Sequence, residues 1–116
     1  MCKLFINSDP NLWVSSTRSL RIDGMVTSVR LENYFWCALT EIAQRDGMNV
    51  PQMITRLYHE SIDAGHDLGN FTSFLRVCCM RYLALQISGD IPQRIDVAIA
   101  SLDADKILSR ESEKLH

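Results

Sequence analysis

The chain has 116 residues, 47% of them hydrophobic, which suits one compact domain with some apolar surface to spare for a partner subunit. No stretch approaches the roughly 18 uninterrupted apolar residues needed to span a bilayer, and the opening MCKLFINSDP lacks the apolar core and cleavage site of a secretory signal, so the expected location is the cytoplasm, with no membrane partner. A net charge of −2 weighs against binding through bulk positive charge, but the charge is unevenly spread. Residues 1–31 hold four basic and two acidic groups, a net +2, whereas residues 32–116 carry a net −4.

In chain order, residues 3–6 (KLFI) suit a short strand, and Trp13 suits docking against the domain from a loop that carries Asp9-Pro10. Residues 18–22 alternate polar and apolar, Asp23-Gly24 has the chemistry of a tight hairpin turn, and residues 25–31 form a second strand. This is the clearest β signal in the chain. Trp36, Leu39, Ile42 and Ala43 then recur at helical spacing over residues 33–46, and Gly47 suits the left-handed residue that ends a helix.

A second helix is expected from Asn49-Val50-Pro51-Gln52, with Asn49 as its cap, Pro51 in the first turn and Gln52 placed for a capping box. Its apolar stripe is Val50, Ile54, Leu57, Tyr58 and Ile62. Asn70 caps a third helix over residues 71–86. That helix carries Val77, Cys79 and Leu83 beside its main stripe of Phe74, Leu75, Cys78, Tyr82 and Leu85, as expected where a helix is buried on two sides, for instance at a dimer interface. Beyond Gly89 and Pro92 the alternation of Ile95, Val97 and Ile99 suits a short strand or extended arm, and Ser101 suits the cap of a last polar helix over residues 103–113. Residues 1–90 therefore form the expected domain with its N-terminal extension, and 91–116 an arm and short helix.

No catalytic or metal chemistry is expected. Of Cys2, Cys37, Cys78 and Cys79, only the last two are close in sequence and no CxxC or HxxxH spacing occurs, so Cys37, Cys78 and Cys79 read as small packing residues. His59, His66 and His116 lack cysteine or carboxylate partners at motif spacing, and no glycine-rich phosphate loop or nucleophile elbow is present. A non-enzyme without cofactor or metal is the expectation.

The run Val26-Thr27-Ser28-Val29-Arg30-Leu31, followed without a loop by a helix, then by Gly47-Met48-Asn49-Val50 and a second capped helix, resembles the ribbon-helix-helix superfamily of the Arc and MetJ repressors. The likeness covers roughly residues 25–64. The added first strand and third helix resemble a larger bacterial subgroup. The resemblance implies a mainly α fold with a short β-ribbon, in which a ribbon-helix-helix dimer carries an N-terminal hairpin strand, a third helix and a C-terminal extension. It also implies a transcription regulator that binds double-stranded DNA through an antiparallel ribbon in the major groove.

Alternation places Val29 and Leu31, with Thr27, over the helices and leaves Val26, Ser28 and Arg30 on the opposite face, which by the resemblance reads bases. An Arg30 guanidinium can donate two hydrogen bonds to guanine O6 and N7, worth ~1 to 3 kcal/mol of discrimination. Val26 stands where the family often has a polar residue and suits contact with a thymine methyl. The resemblance further implies phosphate contacts at Met48, Asn49 and Val50, where the second helix begins, and Arg21 offers another. The same residues also suit a solvated strand and a simple helix cap. Two paired hairpins would set four backbones across ~14 Å, against a major groove ~12 Å wide. Either the first strand peels away, or its Thr17, Ser19 and Arg21 face meets the flanking phosphates, or the module stays out of the groove. The rival expectation is a dimeric adaptor or antitoxin-like protein that holds a protein partner with its third helix or C-terminal tail.

Overall fold

The computed structural model describes residues 2–67 and 69–115. A short helix α1 (Cys2–Ile6) and a 3-10 turn (Pro10–Leu12) lead into an antiparallel hairpin of β1 (Ser15–Ile22) and β2 (Met25–Glu32). Helices α2 (Asn33–Arg45), α3 (Val50–Asp63) and α4 (Phe71–Ile87) follow, then a second 3-10 turn (Ile99–Ser101) and α5 (Ala104–Leu115). No described helix is long and apolar enough to cross a membrane.

The hairpin closes through Asp23 and Gly24 at φ +53° and +81°, the mirror-image turn whose twist matches that of paired strands. Its register runs from Ile22 opposite Met25 to Ser15 opposite Glu32. Leu20, Ile22, Val29 and Leu31 point to one side and are buried. They meet Trp36, Leu39 and Ala43 of α2, Val50, Met53 and Ile54 of α3, and Leu75 and Cys79 of α4 in one core. Thr27 shares this side but is exposed, as is Met25, contrary to its expected place over the helices. The reason lies in what covers each strand: α3 packs against β1, so Leu20 and Ile22 are covered at the tip of the hairpin, while α4 packs against β2.

The helix signals act locally. Asn49 and Gln52 exchange hydrogen bonds of 2.8 and 3.0 Å as a complete capping box at the start of α3, and Gly47 takes φ +68° after α2. Asn70 accepts from the Ser73 N–H at the start of α4. Helix α4 is apolar on two sides. Leu75, Cys79, Tyr82 and Leu85 are buried, whereas Phe74, Val77, Met80, Leu83 and Ile87 stand exposed.

Further expectations need correction, among them Trp13, which is 55% exposed and not docked against the domain. Residues 3–6 are helical, because no strand edge lies beside them and a local Asn7 N–H to Lys3 C=O bond of 3.2 Å closes a turn instead; Leu4, Phe5 and Ile6 are left in solvent. Residues 95–99 form turns in place of a strand or extended arm. The buried Arg45 donates to the carbonyls of Arg94 and Val97, each at 2.9 Å, and to the Tyr82 hydroxyl at 3.2 Å, which curls the backbone around its guanidinium. The cap of α5 is Asp103, which accepts from the Lys106 N–H, since the Ser101 hydroxyl donates backwards to the Ala98 carbonyl. Cys37 lies on the exposed face of α2, so of the three packing cysteines only Cys79 is buried and Cys78 half-buried.

The C-terminal segment closes a second apolar cluster. Tyr82, Leu85 and Ile91 are buried there, with Ile42, Ile99, Leu102 and Ile107 around them. Asp46 accepts from the Ala100 N–H, and Arg81 grips the Glu111 carboxylate with bonds of 2.6 to 3.1 Å, tying α5 to α4.

Candidate nucleic-acid interface

The hairpin has one face in the core and one in water, and the register decides which side chains share the wet face. Arg21 stands opposite Val26, Ser19 opposite Ser28 and Thr17 opposite Arg30, and all six are exposed. The base-contact candidates Val26, Ser28 and Arg30 thus lie in one row, with a parallel row of Thr17, Ser19 and Arg21 from β1 beside it. Beyond the bond from Asn33 N–H to the Val14 carbonyl that continues the hairpin, no backbone hydrogen bond joins either outer edge to another element among the described residues.

Several contacts hold this ribbon in place at its base. The Trp36 indole N–H donates to the Ser16 carbonyl at 3.0 Å, and the Arg18 guanidinium lies 4.4 Å from the Trp36 ring centre. Asn33 accepts from the Ser16 hydroxyl and donates to the Asn11 carbonyl. At the end of β2, Arg76 of α4 grips Glu32 through Nε and Nη2 at 3.0 and 3.3 Å, and this partner holds the Glu32 carboxyl below its ordinary value. The tip is tied separately, by His59 Nε2 of α3 at 2.8 Å from the Asp23 carboxylate.

Charge pairing leaves a clear pattern. Of nine arginines, Arg76, Arg81, Arg94 and Arg110 pair with Glu32, Glu111, Asp96 and Asp90. Arg45 is buried against carbonyls. The four that remain without a carboxylate partner among the described residues are Arg18, Arg21 and Arg30 of the hairpin and Arg56 of α3. The acidic total therefore conceals a locally positive hairpin, because the acidic excess lies in residues 32–116, where four of the arginines are paired.

The expected phosphate site at the start of α3 is less open than the family pattern implies. Met48 N–H donates to the Ala43 carbonyl at 2.9 Å and Asn49 N–H to Gln52 Oε1, while Pro51 has no N–H. Val50 N–H alone of the three is without a hydrogen bond among the described residues, and the Val50 side chain is buried in the core. Arg21 instead faces a cleft of about 500 Å3 between β1 and α3, lined also by Pro51, Gln52, Thr55, Arg56, His59 and Glu60. Arg56 and the His59 partnership had no sequence signal, since each depends on residues about 35 positions away that only the fold brings near. His66 is exposed, and His116 lies outside the described residues. Among the described residues no cluster of three or more histidine, cysteine or acidic side chains is placed to hold a metal.

The ribbon-helix-helix domain model matches residues 15–83, from the first residue of β1 to about one turn before the end of α4. Among solved structures, an uncharacterized protein from Bordetella pertussis Tohama I is 52% identical, with a TM-score of 0.89, over 93% of this chain and 86% of its own. No curated protein matches the chain.

Proposed function

We propose, for a chain that belongs to the ribbon-helix-helix domain family, a DNA-binding transcription regulator that acts as a homodimer and reads the major groove with its hairpin. Domains of this family are typically DNA-binding regulators or antitoxins. The observation that carries the reading is the exposed face of the ribbon. Arg30 and Arg21 stand there in no ion pair among the described residues, beside the small polar Ser28, Ser19 and Thr17 and the apolar Val26. Such a row offers a bidentate donor for guanine, hydroxyls that suit several base edges and an apolar contact for a thymine methyl.

The second copy would add its β2 antiparallel to the free outer edge of β2 about a two-fold axis, giving the strand order β1, β2, β2, β1. Pairing within the chain already satisfies one edge of β2, so the hairpin does not need the second copy in order to exist. What favours the dimer is the apolar surface left over: α4, the helix beneath β2, leaves Phe74, Val77, Met80, Leu83 and Ile87 in water. The same exposed face favours the rival reading, an antitoxin-like or adaptor dimer that holds another protein with α4.

A salt-dependent titration with duplex from upstream of the protein's own gene, against random duplex, tests the reading. The wild type is expected to bind the first more tightly, with steep salt dependence. Arg30→Ala is expected to lose ~1 to 3 kcal/mol of the preference per contacted guanine while staying folded. Absence of binding to either duplex at low salt would transfer the weight to the protein-interaction reading.

A further inference from the structure

If the ribbon enters the groove in the order proposed above, β1 is its outer strand. Strands lie ~4.8 Å apart, so each β1 backbone would run about 7 Å from the two-fold axis, whereas the walls of a groove ~12 Å wide stand about 6 Å from it. The outward side chains of β1 then meet the sugar-phosphate wall while β2 remains over the bases. Arg21 is the cation of that row, and it opens into the cleft between β1 and α3.

From this placement and the cleft's donors, we infer that the β1–α3 cleft is the docking site for a DNA phosphodiester, held by Arg21 and Arg56. It stands in for a clamp made of backbone amides at the start of α3. The inference rests on the DNA-binding reading and adds residues to it. The amides are largely committed: Met48 and Asn49 N–H are bonded within the chain, and Pro51 has none. The side chains around the cleft supply what those amides do not. Arg21 and Arg56 bring two guanidinium groups that are in no ion pair among the described residues, the kind of group that matches phosphate oxygens in a planar fork.

The other lining groups have definite roles. Gln52 accepts from Asn49 N–H with Oε1, which leaves its amide NH2 to donate towards the cleft. The Thr55 hydroxyl already donates to the Pro51 carbonyl, so it offers a phosphate no proton. His59 binds the Asp23 carboxylate at the hairpin turn, fixing the tip of the ribbon, and with it Arg21, against α3. It also engages the nearest acidic group of the tip. Glu60 is the one carboxylate among the described residues that line the cleft, and it opposes an anion there.

The test is a titration of the full chain on one duplex at several salt concentrations, with Arg56→Gln, Arg21→Gln, Glu60→Gln and a control, Arg94→Gln, which removes an exposed charge paired with Asp96 on the tail. Arg56→Gln and Arg21→Gln are expected to weaken binding on the order of 10-fold in the dimer, equally on specific and random duplex. Each should lower the slope of log K against log salt by about 1 per protomer. Glu60→Gln is expected to tighten binding, and Arg94→Gln to leave the slope as it is. If the wild type binds DNA but Arg56→Gln keeps the slope of Arg94→Gln, the cleft holds no phosphate and this inference fails while the regulator reading stands. If the wild type binds no duplex even at low salt, both fall together.

Discussion

Arg45 shows how one side chain decides the course of the tail. It ends α2 at 6% exposure, in no ion pair among the described residues, and directs its donors to the carbonyls of Arg94 and Val97 and to Tyr82. A buried charge without such bonds would cost several kcal/mol, so the tail and the arginine depend on each other. Removing the guanidinium leaves two backbone carbonyls and a tyrosine hydroxyl short of a donor. Arg45→Ala is expected to cost about 2–3 kcal/mol and to free the segment around residue 94. Limited trypsin digestion of the pure protein measures this: the wild type should resist cleavage after Arg94, and the variant should be cut there early. Equal cleavage rates would mean that the apolar cluster of Tyr82, Leu85 and Ile91 holds the tail without Arg45. The sequence offers no sign of this role, because an arginine at the end of a helix ordinarily serves the helix dipole in solvent.

Between elements, the same type of contact recurs as a carboxylate gripped by a guanidinium. Glu32 at the end of β2 is held by Arg76 of α4, and Glu111 of α5 by Arg81 of α4; in each case the hydrogen bond from the arginine lowers the carboxyl pKa below its ordinary 4.5. The sign of the pH effect follows. Below the ordinary value the unfolded chain takes up protons that the folded carboxylates still refuse, so acid favours unfolding. The stabilisation is complete above 4.5 and is lost as pH falls through the lower folded values. These pairs are partly exposed, so each contributes no more than about 1 kcal/mol. Melting temperature should therefore drop more between about pH 5 and pH 3 in the wild type than in Glu32→Gln or Glu111→Gln, which should differ from it mainly at neutral pH. An identical acid response in all three would show that neither pair contributes.

Elements whose signal is local are legible in the sequence. Asp23-Gly24 needs only its own backbone to make the turn, and Asn49 with Gln52 needs only one helical turn to make the capping box. Residues 3–6 and 95–99 depart from their expected strands for the opposite reason. Their alternation or β-branched content describes what a strand would want, but a strand exists only beside another, and neither segment is hydrogen-bonded along an edge of the hairpin. The unforeseen helix α1 and the turns at the tail follow from that lack.

For the whole molecule, one sheet face is built into a core shared by three helices, and the other is left wet and locally basic. An overall charge of −2 masks this, because the C-terminal arginines at 76, 81, 94 and 110 are in ion pairs while those of the hairpin are in none among the described residues. The wet face itself is legible in the sequence, since a period of two fixes which side each strand residue takes. Alternation alone puts Val26, Ser28 and Arg30 together, and the register adds Arg21, Ser19 and Thr17 opposite them. Arg56 was beyond reach, because its relation to Arg21 exists only through the packing of α3 on β1.

A ribbon that reads guanine through Arg30 must reach N7 on the floor of the major groove. Methylation interference probes that contact: a duplex that the protein prefers is methylated sparsely at guanine N7, and bound and free fractions are compared. Methylated guanines are expected to be depleted from the bound fraction at positions related by two-fold symmetry, and that depletion is expected to vanish in the residual binding of Arg30→Ala. Complexes that form equally well whichever guanine N7 is methylated would contradict that contact.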